Sequence, residues 1–236
     1  MTDDRMDRGD ARPRLDRIVE DLAPHGLFPR GVVVFDESDA RPALADGRPA
    51  ASVVLVGAIG GSFWAAFAAW RQTAAGGGGD PLDTWSKAVI TPVAGQHGAT
   101  VFFPSDPPYQ PFQRWAMRAE GVQASPLGIL MHPQYGLWHS YRGALAFPEV
   151  IEAQAAEVEP HPCDACRTHP CLSSCPVGAI TERGFAVQTC RSHLVTPAGQ
   201  AGCMVDGCAA RNACPVGKAY RYSADQLRFH MAALKL

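Results

Sequence analysis

"AASVVLVGAIGGSFWAAFAAW", Ala50–Trp70, runs for 21 residues without a charge. A single helix of that length would cross a bilayer, so how the stretch is read decides the fold class. Its middle is Gly60-Gly61-Ser62, and the halves on either side differ in texture. Val53-Val54-Leu55-Val56 is short and β-branched, whereas Phe63, Trp64, Phe67 and Trp70 recur at helical spacing. A buried strand, a glycine turn and a packed helix account for this pattern better than a membrane span does.

Outward from that unit, the 236 residues are 47% hydrophobic, enough to supply a core, with a net charge of −2 and a pI near 6.4. Such a balance gives no electrostatic reason to expect nucleic acid or anionic lipid as a partner. The opening MTDDRMDRGDARPRLDR mixes acids and arginines without an apolar run, so it reads as neither a secretory signal nor a transit peptide. The expected protein is soluble and cytoplasmic, with no membrane attachment.

Residues 1–13 form an expected flexible lead-in. Residues 14–150 predict an α+β layer: a helix over 14–23, a strand over 31–35, the 51–71 unit and a glycine-rich loop, TAAGGGGDP. A helix capped by Asp80 or Asp83 and running toward Ile90 follows, then a strand in ATVFFP and a helix over 109–120. Strands near 127–131 and 137–147 complete the layer, joined by His132-Pro133-Gln134-Tyr135-Gly136. PEVIEAQAAEVEPHP marks a boundary, and 151–236 form a second domain that closes with a helix capped by Ser223.

That second domain holds all eight cysteines: Cys163, Cys166, Cys171, Cys175, Cys190, Cys203, Cys208 and Cys214. Disulfides fit poorly in a chain with no mark of secretion, and catalysis needs one or two low-pKa thiols rather than eight. Metal ligation remains, and eight thiols divide into two tetrathiolate sites. Cys163-x2-Cys166-x4-Cys171-x3-Cys175-Pro176 approximates the bacterial ferredoxin run, two residues longer between its second and third ligands. Cys203-x4-Cys208-x5-Cys214-Pro215 is looser but ends in the same Cys-Pro. Two [4Fe–4S] clusters are the leading reading, with zinc and a single cluster as alternatives. Ferredoxin logic crosses the sites: Cys163, Cys166 and Cys171 completed by Cys214, and Cys190, Cys203 and Cys208 completed by Cys175. Sequential assignment is the rival.

The order of these motifs, with the isolated Cys190 in "TCRSHLVTP" between them, resembles the two-cluster ferredoxin-like domain of epoxyqueuosine reductases and reductive dehalogenases. The likeness covers residues 163–217, and the widened spacings depart from it. Upstream, "LGILMHPQYGLWHSYRGALAF" is similar to the His-Pro-aromatic-Gly-x-Trp segment of epoxyqueuosine reductases and to a segment of CblC-type cobalamin-processing proteins. That resemblance implies a shortened nitroreductase-like, CblC-like domain able to hold cobalamin, over residues 31–147. It places Asp106, 26 positions before His132, where those reductases carry a proton-donating acid. The bland reading of Asp106 is a turn and cap residue. "GVQASPL" at 121–127 replaces the family's Gly-Trp-Ile-Gly-Lys and argues against the same substrate.

Candidate cofactor contacts are His132, Tyr135, Trp138 and Arg142. Arg142 stands in an apolar strand and needs either a structural carboxylate or an acidic ligand group. Gly57, Gly60 and Gly61 leave room for close backbone approach. His161, His169 and His193 lie among the cysteines as potential tuners. Two functions follow. One is a reductase whose clusters pass single electrons to a corrinoid or substrate on the upstream domain, fed by a redox partner protein. The other is a ferredoxin-type carrier without its own catalytic site, and a zinc-stapled module is a third, structural possibility.

Overall fold

In the Ala50–Trp70 stretch, strand β2 (Ser52–Ile59) gives way through a turn to helix α2 (Trp64–Arg71), so the charge-free run does divide at its glycines. The computed structural model describes residues 13–73, 76, 78–153, 159–234 and 236. The lead-in up to residue 12, part of the glycine loop and the middle of the 148–162 boundary lie outside the described residues. Among those described, no helix is long and apolar enough to cross a membrane.

β2 is buried on both faces along nearly its whole length, which is why it reads as an unbroken apolar run rather than an alternating one. It is central in a four-stranded antiparallel sheet ordered β1 (Phe28–Val34), β2, β6 (His139–Phe147), β3 (Thr100–Phe102). One face is covered by α1 (Arg14–Leu22), α2 and α3 (Pro81–Gln96), which meet Val54, Val56 and Leu145 with Ile18, Phe67, Trp85 and Ile90. The other face takes α4 (Phe112–Glu120), whose Phe112, Trp115, Ala116 and Ala119 pack on Val53, Leu55 and Ala144. Burying each large apolar side chain contributes about 1.5–3 kcal/mol, so the two faces supply the bulk of the stabilisation.

Two bulges at the same height of β2 position charged residues. Between Pro29 and Val32 the β1 register shifts, leaving Arg30 and Gly31 opposite one partner. Between Tyr141 and Gly143 the β6 register shifts, leaving Arg142 as the extra residue. A bulge bends its strand and re-aims a side chain. Here Arg30 reaches Glu120 on α4, and Arg142 reaches Asp83 on α3, on opposite faces of the sheet.

Several boundaries differ from expectation. The first helix ends at Leu22 in a 3-10 turn over Ala23–His25. Asp80 occupies the N-cap position of α3 with φ 47° and makes no side-chain cap bond, because a left-handed cap residue cannot aim its carboxylate at the next amides. α4 begins at Phe112, after Pro111, rather than at 109. The strand expected over 127–131 shrinks to β5 (Leu130–Met131), which pairs with the short β4 (Gln123–Ala124) and not with β6.

Beyond residue 160 the chain makes short pieces: α5 (Pro170–Ser173), the hairpin β7 (Ile180–Thr181) and β8 (Gly184–Phe185), α6 (Val187–Leu194), α7 (Pro197–Ala201), α8 (Cys203–Asp206) and α9 (Ala209–Ala213). The closing α10 (Ala224–Ala232) starts as expected, with Ser223 Oγ accepting from the Gln226 amide. Its Phe229 joins the upstream core against Trp64 and Phe67, so the chain's last helix straps the cysteine segment to the sheet.

Candidate functional site

Cys203 opens α8, and Cys208 and Cys214 flank α9 at its two ends, whereas Cys190 lies inside α6. Cys163, Cys166, Cys171 and Cys214 line one cavity of about 270 Å3 with Leu127, Met131 and Leu137 among its apolar walls. Burial and mutual repulsion with Cys214, Cys171 and Cys166 push the Cys163 thiol up to about 11. Burial likewise raises Cys190, whose thiol feels Cys208, Cys175 and Cys203. The thiols thus fall into two neighbourhoods of four. Among the described residues, no group of three or more His, Cys, Asp and Glu side chains is placed to hold a metal ion.

The histidines near these thiols shape backbone. His161 Nδ1 accepts from the Cys163 amide at 3.0 Å, and its Nε2 lies 3.2 Å from the Ala124 carbonyl. His169, with φ 38°, brings Nε2 to 3.2 Å from the Cys163 carbonyl.

The His132–Trp138 segment is where the two halves meet. His132 and Gly136 bridge back to back, and the tight turn lets Gly136 press on the second Cys-Pro motif. Gly136 has φ 58°, and a Cβ there would lie 2.4 Å from the Val216 carbonyl oxygen. Two residues on, Trp138 is fully buried with the Arg211 guanidinium 4.3 Å from its ring, and Tyr222 flanks the same guanidinium at 4.7 Å. Arg211 Nη2 also donates to the Leu137 carbonyl. Gly60 and Gly61 serve the same docking. A Cβ on Gly60 would lie 2.8 Å from the Tyr220 carbonyl oxygen, so its smallness admits the cysteine segment, while at Gly61 the Gln226 side-chain oxygen comes to 3.0 Å from the same position.

His132 and Tyr135 open onto a cleft of about 490 Å3 that Arg30, Glu120, Gln134 and Glu159 also line. Their rings stack 4.1 Å apart. His132 Nδ1 accepts from the Gln134 and Tyr135 amides at 3.0 and 3.2 Å, which fixes the proton on Nε2, 4.0 Å from Glu120 Oε1. Burial and the Arg30 charge push His132 down to about 4, so it is neutral. His139 is pushed down to about 4 for the same reasons, with Nε2 donating to the Leu130 carbonyl.

Glu120 is the centre of this cluster. Arg30 Nε donates to its Oε1 at 2.9 Å, Arg30 Nη1 donates to the Ala58 carbonyl, and the Tyr141 hydroxyl donates to Oε2. Burial raises the Glu120 pKa, with Arg30 and Tyr141 pulling the other way. The same burial, together with the Glu120 charge, raises Tyr141 well above a free phenol.

Of the sequence-predicted residues, then, His132 and Tyr135 share a cleft, and Trp138 lies in the interface behind them. Arg142 faces the other side of the sheet, 3.8 Å from Asp83, and burial draws its pKa below the usual guanidinium value. Asp106 is half-exposed and pairs with Lys87 at 2.6 Å, one helical turn along α3 from Asp83. Asp106 and Arg142 therefore sit by α3 and His132 by α4. Sequence reasoning missed Arg30, Glu120, Tyr141 and Arg211. Two had a signal: a charge and a glycine inside the apolar strand FPRGVVV mark a bulge, and an acid at a helix C-terminus stands where the helix dipole disfavours it.

No protein-family model matches the chain, and no curated protein does. Solved structures do. The B12-trafficking protein CblC of C. elegans, a homologue of human MMACHC, superposes with a TM-score of 0.52 at 14% identity, over 92% of this chain and 90% of that one. An epoxyqueuosine reductase with a tRNA-Tyr epoxyqueuosine-modified stem loop gives 0.51 at 15% identity, over 89% of this chain and 66% of that one. A selenomethionine-labelled epoxyqueuosine reductase gives 0.52 at 14%, over 90% and 68%. At these identities the likeness is one of fold: the chain has the mixed α/β architecture of CblC and epoxyqueuosine reductase.

Proposed function

We propose that this chain is a two-cluster iron–sulfur redox protein that passes single electrons to a small molecule held in the His132–Tyr135 cleft. One observation carries the reading. The 131–137 segment lines the four-thiol cavity with Met131 and Leu137 and the cleft with His132 to Tyr135, so the two sites share a wall.

The donor set fits iron–sulfur clusters. Eight free thiols lie in two groups of four, and thiolates are the ligands such clusters take. Cys163, Cys166, Cys171 and Cys214 would hold one cluster and Cys175, Cys190, Cys203 and Cys208 the other, in the crossed manner of ferredoxins. When bound, such clusters supply one-electron transfer over a wide range of potentials. Free thiols suit a reducing compartment such as the cytoplasm, where a redox partner protein would supply the electrons.

The chain's own residues define what the cleft receives. Its volume, about 490 Å3, falls in the range of small-molecule pockets. His132 offers the cleft an Nε2–H donor, Tyr135 offers a ring face, and Arg30 and Glu120 form a buried ion pair behind them. Fold likeness to CblC and to epoxyqueuosine reductase favours a second reading, in which the bound molecule is a corrinoid. With its Nδ1 taken by the Gln134 and Tyr135 amides, His132 would meet a corrinoid as an Nε2–H hydrogen-bond donor.

Anaerobic purification with metal analysis tests the main reading. The expected result is a broad visible absorption band with about eight irons and eight sulfides per chain. A colourless protein loaded with zinc would overturn it. Cys175→Ser and Cys214→Ser should each damage the cluster held mainly by the other cysteine group. An intact cluster on Cys163, Cys166 and Cys171 in Cys214→Ser refutes the crossed assignment. Titration with cob(II)alamin decides the second reading, since a bound corrinoid shifts its spectrum and an unchanged one removes it.

A further inference from the structure

We propose that His132 holds the substrate of the cleft by a hydrogen bond from Nε2–H to a carbonyl oxygen, and that this substrate is a conjugated carbonyl compound. The inference rests on the cleft's being the place where electrons are delivered. It adds the chemical class of the bound molecule and the side chain that polarises it.

The geometry makes His132 a fixed donor rather than an acid or a base. The backbone amides of Gln134 and Tyr135 both donate to Nδ1, at 3.0 and 3.2 Å. A proton on Nδ1 would point at both of them, so the ring keeps one hydrogen, on Nε2. The His132–Gly136 bridge closes the turn and the Tyr135 ring stacks at 4.1 Å, which together hold the imidazole in place. Nε2 stops 4.0 Å short of Glu120 Oε1, beyond hydrogen-bond distance.

The other side-chain nitrogens among the described residues of the cleft already have acceptors. Arg30 Nε and Nη2 lie 2.9 Å from Glu120 Oε1, and Arg30 Nη1 donates to the Ala58 carbonyl. Gln134 Nε2 donates to the Tyr220 hydroxyl. Arg30 balances the Glu120 carboxylate and Glu159 adds an acid, so the cleft has no net positive charge to hold an anionic group. The atom facing Nε2–H is therefore a neutral acceptor. A molecule that takes a single electron also needs a low-lying π* orbital, and a conjugated carbonyl supplies both. As the electron enters, negative charge builds on the oxygen, where a preorganised donor stabilises it more than it did the ground state. An iron–sulfur cluster gives up that electron and is oxidised by one unit, the carbonyl becomes a ketyl radical anion, and the His132 N–H bond stays intact.

Isotope-edited infrared spectroscopy of acetophenone with a labelled carbonyl, bound to the full-length, anaerobically purified protein, reads the hydrogen bond directly. The expected result is a bound carbonyl stretch well below its frequency in hexane. In His132→Asn the Oδ1 atom can still accept from the two amides, while no N–H reaches as far as Nε2. That variant should return the stretch toward the hexane value and weaken binding by about tenfold or less. An undisplaced stretch in the unmodified protein, an equal displacement in His132→Asn, or no binding of the ketone overturns the proposal. Iron analysis on the same samples separates it from the redox reading. Full iron with an undisplaced carbonyl removes the His132 role alone. A displaced, His132-dependent carbonyl in an iron-free, zinc-loaded protein removes the electron transfer alone and leaves His132 as the donor to a carbonyl ligand.

Discussion

Residues 14–147 bury Trp85, Phe63, Phe67, Phe147, Leu55 and Leu145 completely, whereas the buried hydrophobic set between 160 and 222 consists of Ala179, Ile180, Leu194, Ala210, Cys214 and Tyr222. The upstream layer closes two apolar faces around one sheet. The cysteine segment has short helices, a hairpin of two-residue strands and thiols where a core would need leucines. A segment that buries so little apolar surface cannot offset the entropy of ordering its chain, so it draws its stability from outside itself. One source is visible, the docking of 131–138 and α10 onto it; the clusters proposed for the thiol sets would be a second.

That contrast can be broken at its strongest point first. Cys214→Ser should disorder much of 160–222 while leaving the sheet intact, because a metal centre of the proposed kind would contribute on the order of 10 kcal/mol to the segment that wraps it. Hydrogen exchange would show lost protection confined to that segment; loss spread equally over β2 and β6 would mean that the halves form one cooperative unit. The converse variant, Phe67→Ala, should cost about 3–5 kcal/mol and lower the melting temperature of the layer. Because Phe67 also meets Phe229, α10 should loosen with it.

The hinge between the halves is the next test. Gly136→Ala places a side chain at φ 58° and against the Val216 carbonyl oxygen, for a loss of about 2 kcal/mol or more. The expected result is weaker docking, read as faster proteolysis at 216–222 with little change in the sheet's exchange rates.

Acid acts gradually, through several groups at once. Burial beside arginines holds His132, His139 and His230 down to about 4, below the 6.5 of the unfolded chain. Between those values the unfolded state binds more protons, so stability is complete above about 6.5 and falls as pH drops toward 4. The slope is at most about 1.4 kcal/mol per pH unit for each histidine. Glu120 works in reverse, since its raised pKa makes the native state the better proton binder just above 4.5. Urea unfolding between pH 7 and 4 measures the net slope, and His139→Gln should flatten it.

Legibility followed the same division. The run Val53–Val56 before Gly60 and the aromatic spacing of 63–70 gave the central strand and its helix, because burial on both faces leaves a continuous apolar signature. Ser223 was recognisable as a cap, since a hydroxyl before a helix has one common use there. The left-handed Asp80, the late start of α4 and the shrunken β5 were not, because turn geometry depends on what the loop packs against. In the site, His132 and Tyr135 stood out through their turn, whereas Arg30 and Glu120 lie 90 residues apart and meet only where α4 packs on β1.

The sequence by itself determined the α/β layer, the concentration of thiols beyond residue 160 and the turn that joins the two, since each is written in local spacing and residue type. Only the tertiary structure decided which thiols neighbour which, that Asp106 and Arg142 belong by α3, and that a bulge buries Arg30 against Glu120. Those outcomes depend on register and on contacts between distant strands, and a one-residue shift of register turns a side chain to the opposite face of a sheet.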